Sequence, residues 1–390
     1  MAQSFKEHLC DNIIPFWNRM KDEKNGGFYG YADEHGVPDE VNSKGVILNN
    51  RILWFYSAAY VLLGDRELLD NATHVYKFIT EKCIDRENGG VYWSVTYDGM
   101  PKDTIKHTYN QAFAIYALSE YYKASKDEDA LNNAMELFEL IEKRCKDEGG
   151  YLESFNVDFS PASNDKLSEN GVMADRTMNT LLHIIEAYTV LYEVSRNEQV
   201  GDAIILALDI FKNKIYSPVK KHAEVFFDYE YNSLIDLESF GHDIEASWLI
   251  KRACDVLDDK EVLSKMENVI FDCARTTYDR GFNDLKNALY NEMENGVIDK
   301  KRVWWVQAEA VTGFYNAYSM DNSLTEYKKA AFDIWEYIQN YIIDKKTGEW
   351  YENTYDDEEK TRHSALAHAW KCPYHNGRMC IEMIRRTGEE

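Results

Sequence analysis

Residues 89–93 read Gly89-Gly90-Val91-Tyr92-Trp93 and follow a stretch of helical periodicity that ends near Lys82. Two glycines open a turn, and the apolar and aromatic residues behind them suit a short strand. The pattern recurs. Gly26-Gly27-Phe28-Tyr29 lies upstream, Gly149-Gly150-Tyr151-Leu152 lies downstream, and Gly348-Glu349-Trp350-Tyr351 is a weaker copy near the end. Less regular segments around 225–231 and 282–290 fill the gap at similar spacing. The result is a unit of roughly 60 residues used six times, and a steady internal period outranks any local assignment.

Between these segments apolar residues recur at three and four over 47–63, 113–122, 131–141, 181–194, 204–211 and 335–343, the mark of helices with a buried face. The pattern predicts helices over 3–19, 43–63, 66–82, 104–124, 127–144, 172–195, 198–215, 240–257, 260–277, 302–319, 323–342 and 374–386. Two helices per unit, alternately inner and outer, close into an all-α (α/α)6 barrel with short β-hairpins at one mouth. A solenoid would use shorter repeats without these strands. The chain 1–390 then reads as a single barrel domain. Each hairpin precedes an inner helix, so the inner helices begin near 43, 104, 172, 240, 302 and 374. Their positive N-terminal ends converge at one mouth, where developing negative charge is favoured.

Composition narrows the use of such a barrel. Lys and Arg total 44 against 68 Asp and Glu, a formal charge of −24. That surface repels phosphate backbones and anionic lipids, which disfavours nucleic-acid and membrane partners. The N-terminal residues lack a basic segment ahead of a long apolar one, and no stretch reads as a membrane-spanning helix. The seven cysteines contain no C-x-x-C pair, as expected of reduced thiols in a cytoplasmic protein. A small-molecule partner and a monomer fit best. Aromatic residues make up 14% of the chain; they serve sugar stacking and helical cores alike.

Polar residues on the six inner helices gather at the mouth. The first helix carries Arg51, and the second His107, Tyr109 and Asn110. Asp175, Asn179, His183 and Glu186 follow on the third, spaced four, four and three, which lays a polar stripe along one helix face. His242 and Glu245 lie on the fourth, with Trp304, Trp305, Gln307 and Glu309 on the fifth. The sixth is entered through Trp370-Lys371-Cys372-Pro373-Tyr374-His375. Arg51 sits among apolar residues and needs a partner; Glu245 and Glu309 are the candidates.

Several chemistries could use this set. His183-x-x-Glu186 and His242-x-x-Glu245 reverse the Glu-x-x-His order of carboxylate-bridged metal bundles, and H-E-x-x-H is absent, so no catalytic metal is expected. Glycoside hydrolysis could use Glu245 and Glu309 as a carboxylate pair but would leave the histidines idle. No Gly-rich nucleotide loop is present, so no cofactor is expected either. Two histidines on opposite faces of a carbon can remove a proton on one side and return one on the other. An Arg and a third His can stabilise the intervening oxyanion, and glutamates can orient the imidazoles.

These motifs resemble the N-acylglucosamine 2-epimerase superfamily over essentially the whole chain. They are Arg51-Ile52-Leu53-Trp54, His107-Thr108-Tyr109-Asn110, Thr177-Met178-Asn179 with His183 and Glu186, Gly241-His242-Asp243-Ile244-Glu245, Trp304-Trp305-Val306-Gln307-Ala308-Glu309, and Cys372-Pro373-Tyr374-His375-Asn376-Gly377-Arg378. The resemblance implies that His242 and His375 are the acid/base pair at C2 of a sugar. It implies that Glu245 supports the nearby base and helps ring opening, and that Arg51 and His183 bind the O1/O2 side of a cis-ene-diolate. Tyr109, Asn179, Trp370 and Trp305 would shape the sugar subsites, with Trp304 and Glu309 beside them; the choice between Trp304 and Trp305 stays open by one helix step. The implied reaction is 2-epimerisation of the reducing-end glucose of a β-1,4-linked disaccharide, cellobiose or lactose, without metal or redox cofactor. N-acylglucosamine 2-epimerisation, aldose–ketose isomerisation and, from another class, glycoside hydrolysis or non-catalytic sugar binding are the alternatives.

Overall fold

Whether a helix here faces the barrel axis or the outside follows from how many of its sides are apolar. Residues 46–59 of the first inner helix are all buried, as a helix enclosed on every side requires. Its successor in the chain buries Leu68, Leu69, Ala72, Val75 and Tyr76 while Arg66, Glu67, Asp70 and Lys77 face out, the stripe of a helix with one covered face. A computed structural model describes residues 3–164, 166–167, 170–283, 285–355 and 364–389. Among them the outer helices are α1 (5–19), α3 (66–83), α5 (Glu128–Arg144), α7 (198–215), α9 (260–281) and α11 (325–342). The inner helices are α2 (Val46–Leu63), α4 (Thr108–Ser125), α6 (Met178–Ser195), α8 (Phe240–Leu257), α10 (Trp304–Met320) and α12 (His375–Thr387).

The inner helices pack in chain order, and α12 returns against α2 to close the ring. Inner and outer partners are joined by tight turns at the floor. Gly64, with φ 73°, ends α2 in the left-handed region, and the Asp65 side chain accepts from the Glu67 amide to start α3. At the other end four outer helices widen into a π turn, at Ile79–Cys83, Phe211–Ile215, Thr277–Gly281 and Ile338–Ile342, and run into a hairpin. Among the described residues, the hairpins that follow the outer helices are marked by the pairs Lys21↔Phe28, Ile84↔Val91, Lys146↔Tyr151, Tyr216↔Ala223, Phe282↔Leu289 and Ile343↔Trp350.

A second set of strand pairs ties each unit to the next. Lys44-Gly45 pairs with Ser94-Val95, Lys106-His107 with Ser154-Phe155, and Arg176-Thr177 with Phe226-Phe227. Leu237–Ser239 pairs with Glu292–Glu294, and Arg302-Val303 with Asn353-Thr354. Ala32 pairs with Ala367, so the last unit closes on the first. Among the described residues the main apolar core runs from Phe5 to Ile384, and a small separate cluster joins Ala174, Val225, Phe226 and Leu237.

Three sequence readings are corrected. The fourth hairpin is at 216–223; the segment at 225–231 forms the inter-unit pair instead. It escaped detection because Lys221, at φ 64°, takes the turn position that glycine marks elsewhere. Helices α4 and α6 begin at Thr108 and Met178, later than expected, because 106–107 and 176–177 are held as strands. His107 and Asp175 therefore precede their helices. Finally, α2 is long and apolar enough to cross a membrane, yet it is largely buried within the barrel.

Candidate active site

The mouth is organised around a buried guanidinium. Arg378 sits on α12, one turn beyond His375, and is 1% exposed. Its Nη1 donates to Glu186 and to the Tyr374 hydroxyl, and its Nη2 to Glu245 and, at 2.8 Å, to Glu309 Oε1. One cation thus gathers carboxylates from α6, α8 and α10. The guanidinium also lies 4.2 Å and 4.8 Å from the centres of the Tyr374 and Trp248 rings. An arginine suits this position because its planar fork serves several acceptors at fixed angles.

The carboxylates orient the histidines. His375 Nδ1 donates to Glu309 Oε1 at 2.7 Å, while Trp248 Nε1 donates to Oε2 at 3.0 Å. His183 Nδ1 donates to Glu186 Oε2 at 2.8 Å, and the Tyr374 hydroxyl donates to the same oxygen at 2.6 Å. A carboxylate can only accept, so both neutral imidazoles present an unprotonated Nε2. His242 differs: its Nδ1 meets the Ser239 hydroxyl at 2.8 Å.

Trp305 stands between the two proposed proton carriers, its ring 4.8 Å from that of His242 and 5.5 Å from that of His375. Trp304 meets His375 edge-on at 5.3 Å and is itself buried. The half-buried Trp305 is thus the one presented to the mouth and to both imidazoles. Arg51 donates to the Tyr109 hydroxyl at 2.7 Å and to the Trp370 carbonyl at 3.3 Å, and lies over the Phe113 and Tyr374 rings. Tyr109 in turn packs on His183 at 5.0 Å and on Trp370 at 6.1 Å. Asn179 lies half-buried at the start of α6, and its Oδ1 has no partner among the described residues. The structure therefore brings His183, His242, His375, Glu245, Glu309, Arg51, Tyr109, Trp304, Trp305 and Trp370 to one end of the inner ring.

Expected pairings change in two places. Arg51 takes neither Glu245 nor Glu309 as its partner; Arg378, for which sequence reading assigned no task, holds both. Glu245 bonds Arg378 rather than His242, and its second oxygen has no partner among the described residues. Glu245, Glu309 and His375 bring one ligand atom each within 4.8 Å of one another. The spacing would suit a cation, but Arg378 already supplies one there, so the donor set does not fit a resident metal.

Burial governs the titration. It pushes the Glu245 carboxyl up to about 8, and the Glu309 charge adds to the shift. Burial opposes ionisation of Glu186 too, but Arg378 and the His183 bond outweigh it and hold that group below the usual carboxylate range. Burial lowers His242 to about 3, helped by His183, and lowers His183 and His375 as well. Burial thus favours the neutral form of all three imidazoles near pH 7.

His107 lies outside this group. Its Nε2 bonds Asn164 at 2.9 Å and burial lowers its pKa to about 4. A histidine with a folded pKa below its unfolded value near 6.5 contributes stability that is fully present above 6.5. That stability is lost as pH falls through about 4. His107→Gln is therefore expected to make the melting temperature fall less steeply than in the parent between neutral pH and about 4, measured by scanning calorimetry. Equal slopes would remove His107 from the acid response.

The family model described as N-acylglucosamine 2-epimerase matches residues 27–377. A curated relative from Ruminococcus albus, a cellobiose 2-epimerase, is 49% identical over 387 residues, covering 99% of each chain. Another, from Eubacterium cellulosolvens, is 47% identical and covers 97% of each. The solved cellobiose 2-epimerase of Bacillus thermoamylovorans superposes with a TM-score of 0.93 at 43% identity, covering 98% of both chains. A six-unit closed barrel, a mouth lined by histidines and tryptophans, and matches of this extent lead to one assignment: the chain belongs to the N-acylglucosamine 2-epimerase family.

Proposed function

We propose that this epimerase, an isomerase by reaction class, inverts C2 of the reducing-end glucose of cellobiose to give glucosyl-mannose, and acts likewise on lactose. The relatives named for cellobiose support the substrate. The observation that carries the chemistry is Trp305 flanked by His242 and His375, which come from different inner helices with separate orienting partners.

With the sugar ring open, one imidazole Nε2 takes the C2 proton and the C2–H electron pair moves into the C1–C2 bond. The resulting cis-ene-diolate carries its charge on O1 and O2, where Arg51 supplies positive charge and the empty Nε2 of His183 can accept from a hydroxyl on that side. Rotation about C2–C3 turns the other face to the second imidazole, which takes a solvent proton at Nε2 and passes it to C2, while the first imidazole, now an imidazolium, gives the abstracted proton to solvent. Glu245, protonated near neutral pH, can donate to the ring oxygen system during opening. Tyr109, Asn179 and Trp370 border the reacting sugar, and Trp305 offers an indole face to it.

Incubation with cellobiose in D2O tests this. Glucosyl-mannose bearing deuterium at C2, seen by NMR, is the expected product. Epimerised product without deuterium would exclude proton exchange with solvent, and release of glucose would indicate hydrolysis. On one preparation, kcat/KM for cellobiose should exceed that for glucose and for N-acetylmannosamine; a preference for N-acetylmannosamine would overturn the disaccharide assignment.

A further inference from the structure

Ser239 occupies the N-cap position of α8, where a serine hydroxyl ordinarily accepts from the backbone amides of the first turn. Thr177, at the same position of α6, does so, accepting from the Thr180 amide at 3.0 Å. Ser239 makes no such cap. Its Oγ lies instead 2.8 Å from Nδ1 of His242, three residues on. The hydroxyl is buried, and its backbone is fixed by the pairing of Ser239 with Glu292 in the adjoining strand. A group well placed to complete a helix end is thus spent on an imidazole.

The partner also differs in kind from that of the other carrier. Glu309 can only accept from His375, which fixes one neutral tautomer. A hydroxyl can both donate and accept. With Ser239 accepting, His242 holds its proton on Nδ1 and offers an empty Nε2; with Ser239 donating, the proton sits on Nε2 and faces the mouth.

We propose that Ser239 is a positioning residue that holds the His242 ring toward the sugar and, by reversing its own hydrogen bond, supports either neutral tautomer. The proposal rests on the assignment of His242 to proton transfer at C2. In the direction where His242 is the base, the C2 proton moves to Nε2 while the bond at Nδ1 is retained. In the reverse direction that proton returns to C2 and His242 is left neutral.

The test compares the parent, Ser239→Ala and Ser239→Thr with histidine labelled by ¹⁵N. The expected result for Ser239→Ala is a fall in kcat of about tenfold with KM changed by less than about twofold. A changed tautomer ratio in the ¹⁵N shifts of His242 and an unchanged melting temperature should accompany it. Ser239→Thr, which keeps the hydroxyl, should restore both kcat and the spectrum. Unchanged ¹⁵N shifts in Ser239→Ala would overturn the proposal, as would a rate loss that tracks loss of folded protein or is not restored by threonine. The spectroscopic arm needs no turnover. If the parent fails to epimerise cellobiose, the substrate assignment falls while the hold of Ser239 on His242 is still decided.

Discussion

Replacing His375 by asparagine is expected to lower kcat for epimerisation by about 10²–10⁴-fold, with an equal or smaller effect on KM, and His242→Asn should do the same. The size follows from removing a general acid/base from a step that cannot proceed without proton transfer. Asparagine keeps a polar group near the Glu309 and Ser239 partners, so the barrel should remain folded. Circular dichroism and the melting temperature check that. Each variant should also stop deuterium uptake at C2 in one direction, since each imidazole serves one face of the carbon. A variant within tenfold of the parent would lose its assigned role.

Arg378→Met should act on the whole molecule. Breaking a buried ionic cluster by removing one member typically costs about 3–5 kcal/mol, because the remaining charges stay buried without compensation. Here Glu186 and Glu309 would lose their shared cation and Glu245 its hydrogen-bond donor. Their carboxyls would then bind protons more tightly in the folded state than in the unfolded one, so the loss should grow as pH rises from about 5 to 8. Urea unfolding at the two pH values measures it. A variant as stable as the parent at pH 8 would show that these carboxylates are balanced by something other than Arg378. Activity should fall as well, since Glu186 and Glu309 would no longer hold His183 and His375 in place.

Residues that define the barrel were largely visible in the chain. Gly-Gly followed by aromatics marks hairpins, since few other residues adopt the left-handed turn there, and helical periodicity marks what lies between. Where Lys221 adopts that conformation instead, the marker is absent and the fourth hairpin was misplaced by some nine residues. Inner-helix starts were read too early at α4 and α6 because two-residue strands such as Arg176-Thr177 are too short to show alternation.

At the mouth, the residues that come together were legible because charged groups on all-apolar helices stand out. Which of them pair was not. Arg378 lies 192 positions from Glu186 and 133 from Glu245, and no local spacing encodes such a contact. Arg51 and Arg378 look alike in sequence; only the packing of α12 against α10 and α2 decides that one faces carboxylates and the other tyrosines. Ser239 was overlooked for the opposite reason. A serine before a helix is so ordinary a cap that its diversion to His242 leaves no trace in the sequence.

The two ends of the barrel differ in how much chain they spend. At the floor the inner and outer helices are linked by Gly64-Asp65, Lys126-Asp127, Arg196-Asn197, Asp258-Asp259 and the slightly longer 321–324. At the rim the described chain between one helix and the next lies within 84–107, 145–177 and 282–303, held by short strand pairs and by buried anchors such as Lys106, Glu153 and Leu289. Scaffold and exposed rim are therefore partly separable. The exposed stretches between those anchors can be lengthened or exchanged to change what surrounds the mouth, while the floor turns, the buried anchors and the core stay as they are. A library confined to those exposed stretches puts folding at less risk than one spread over the helices.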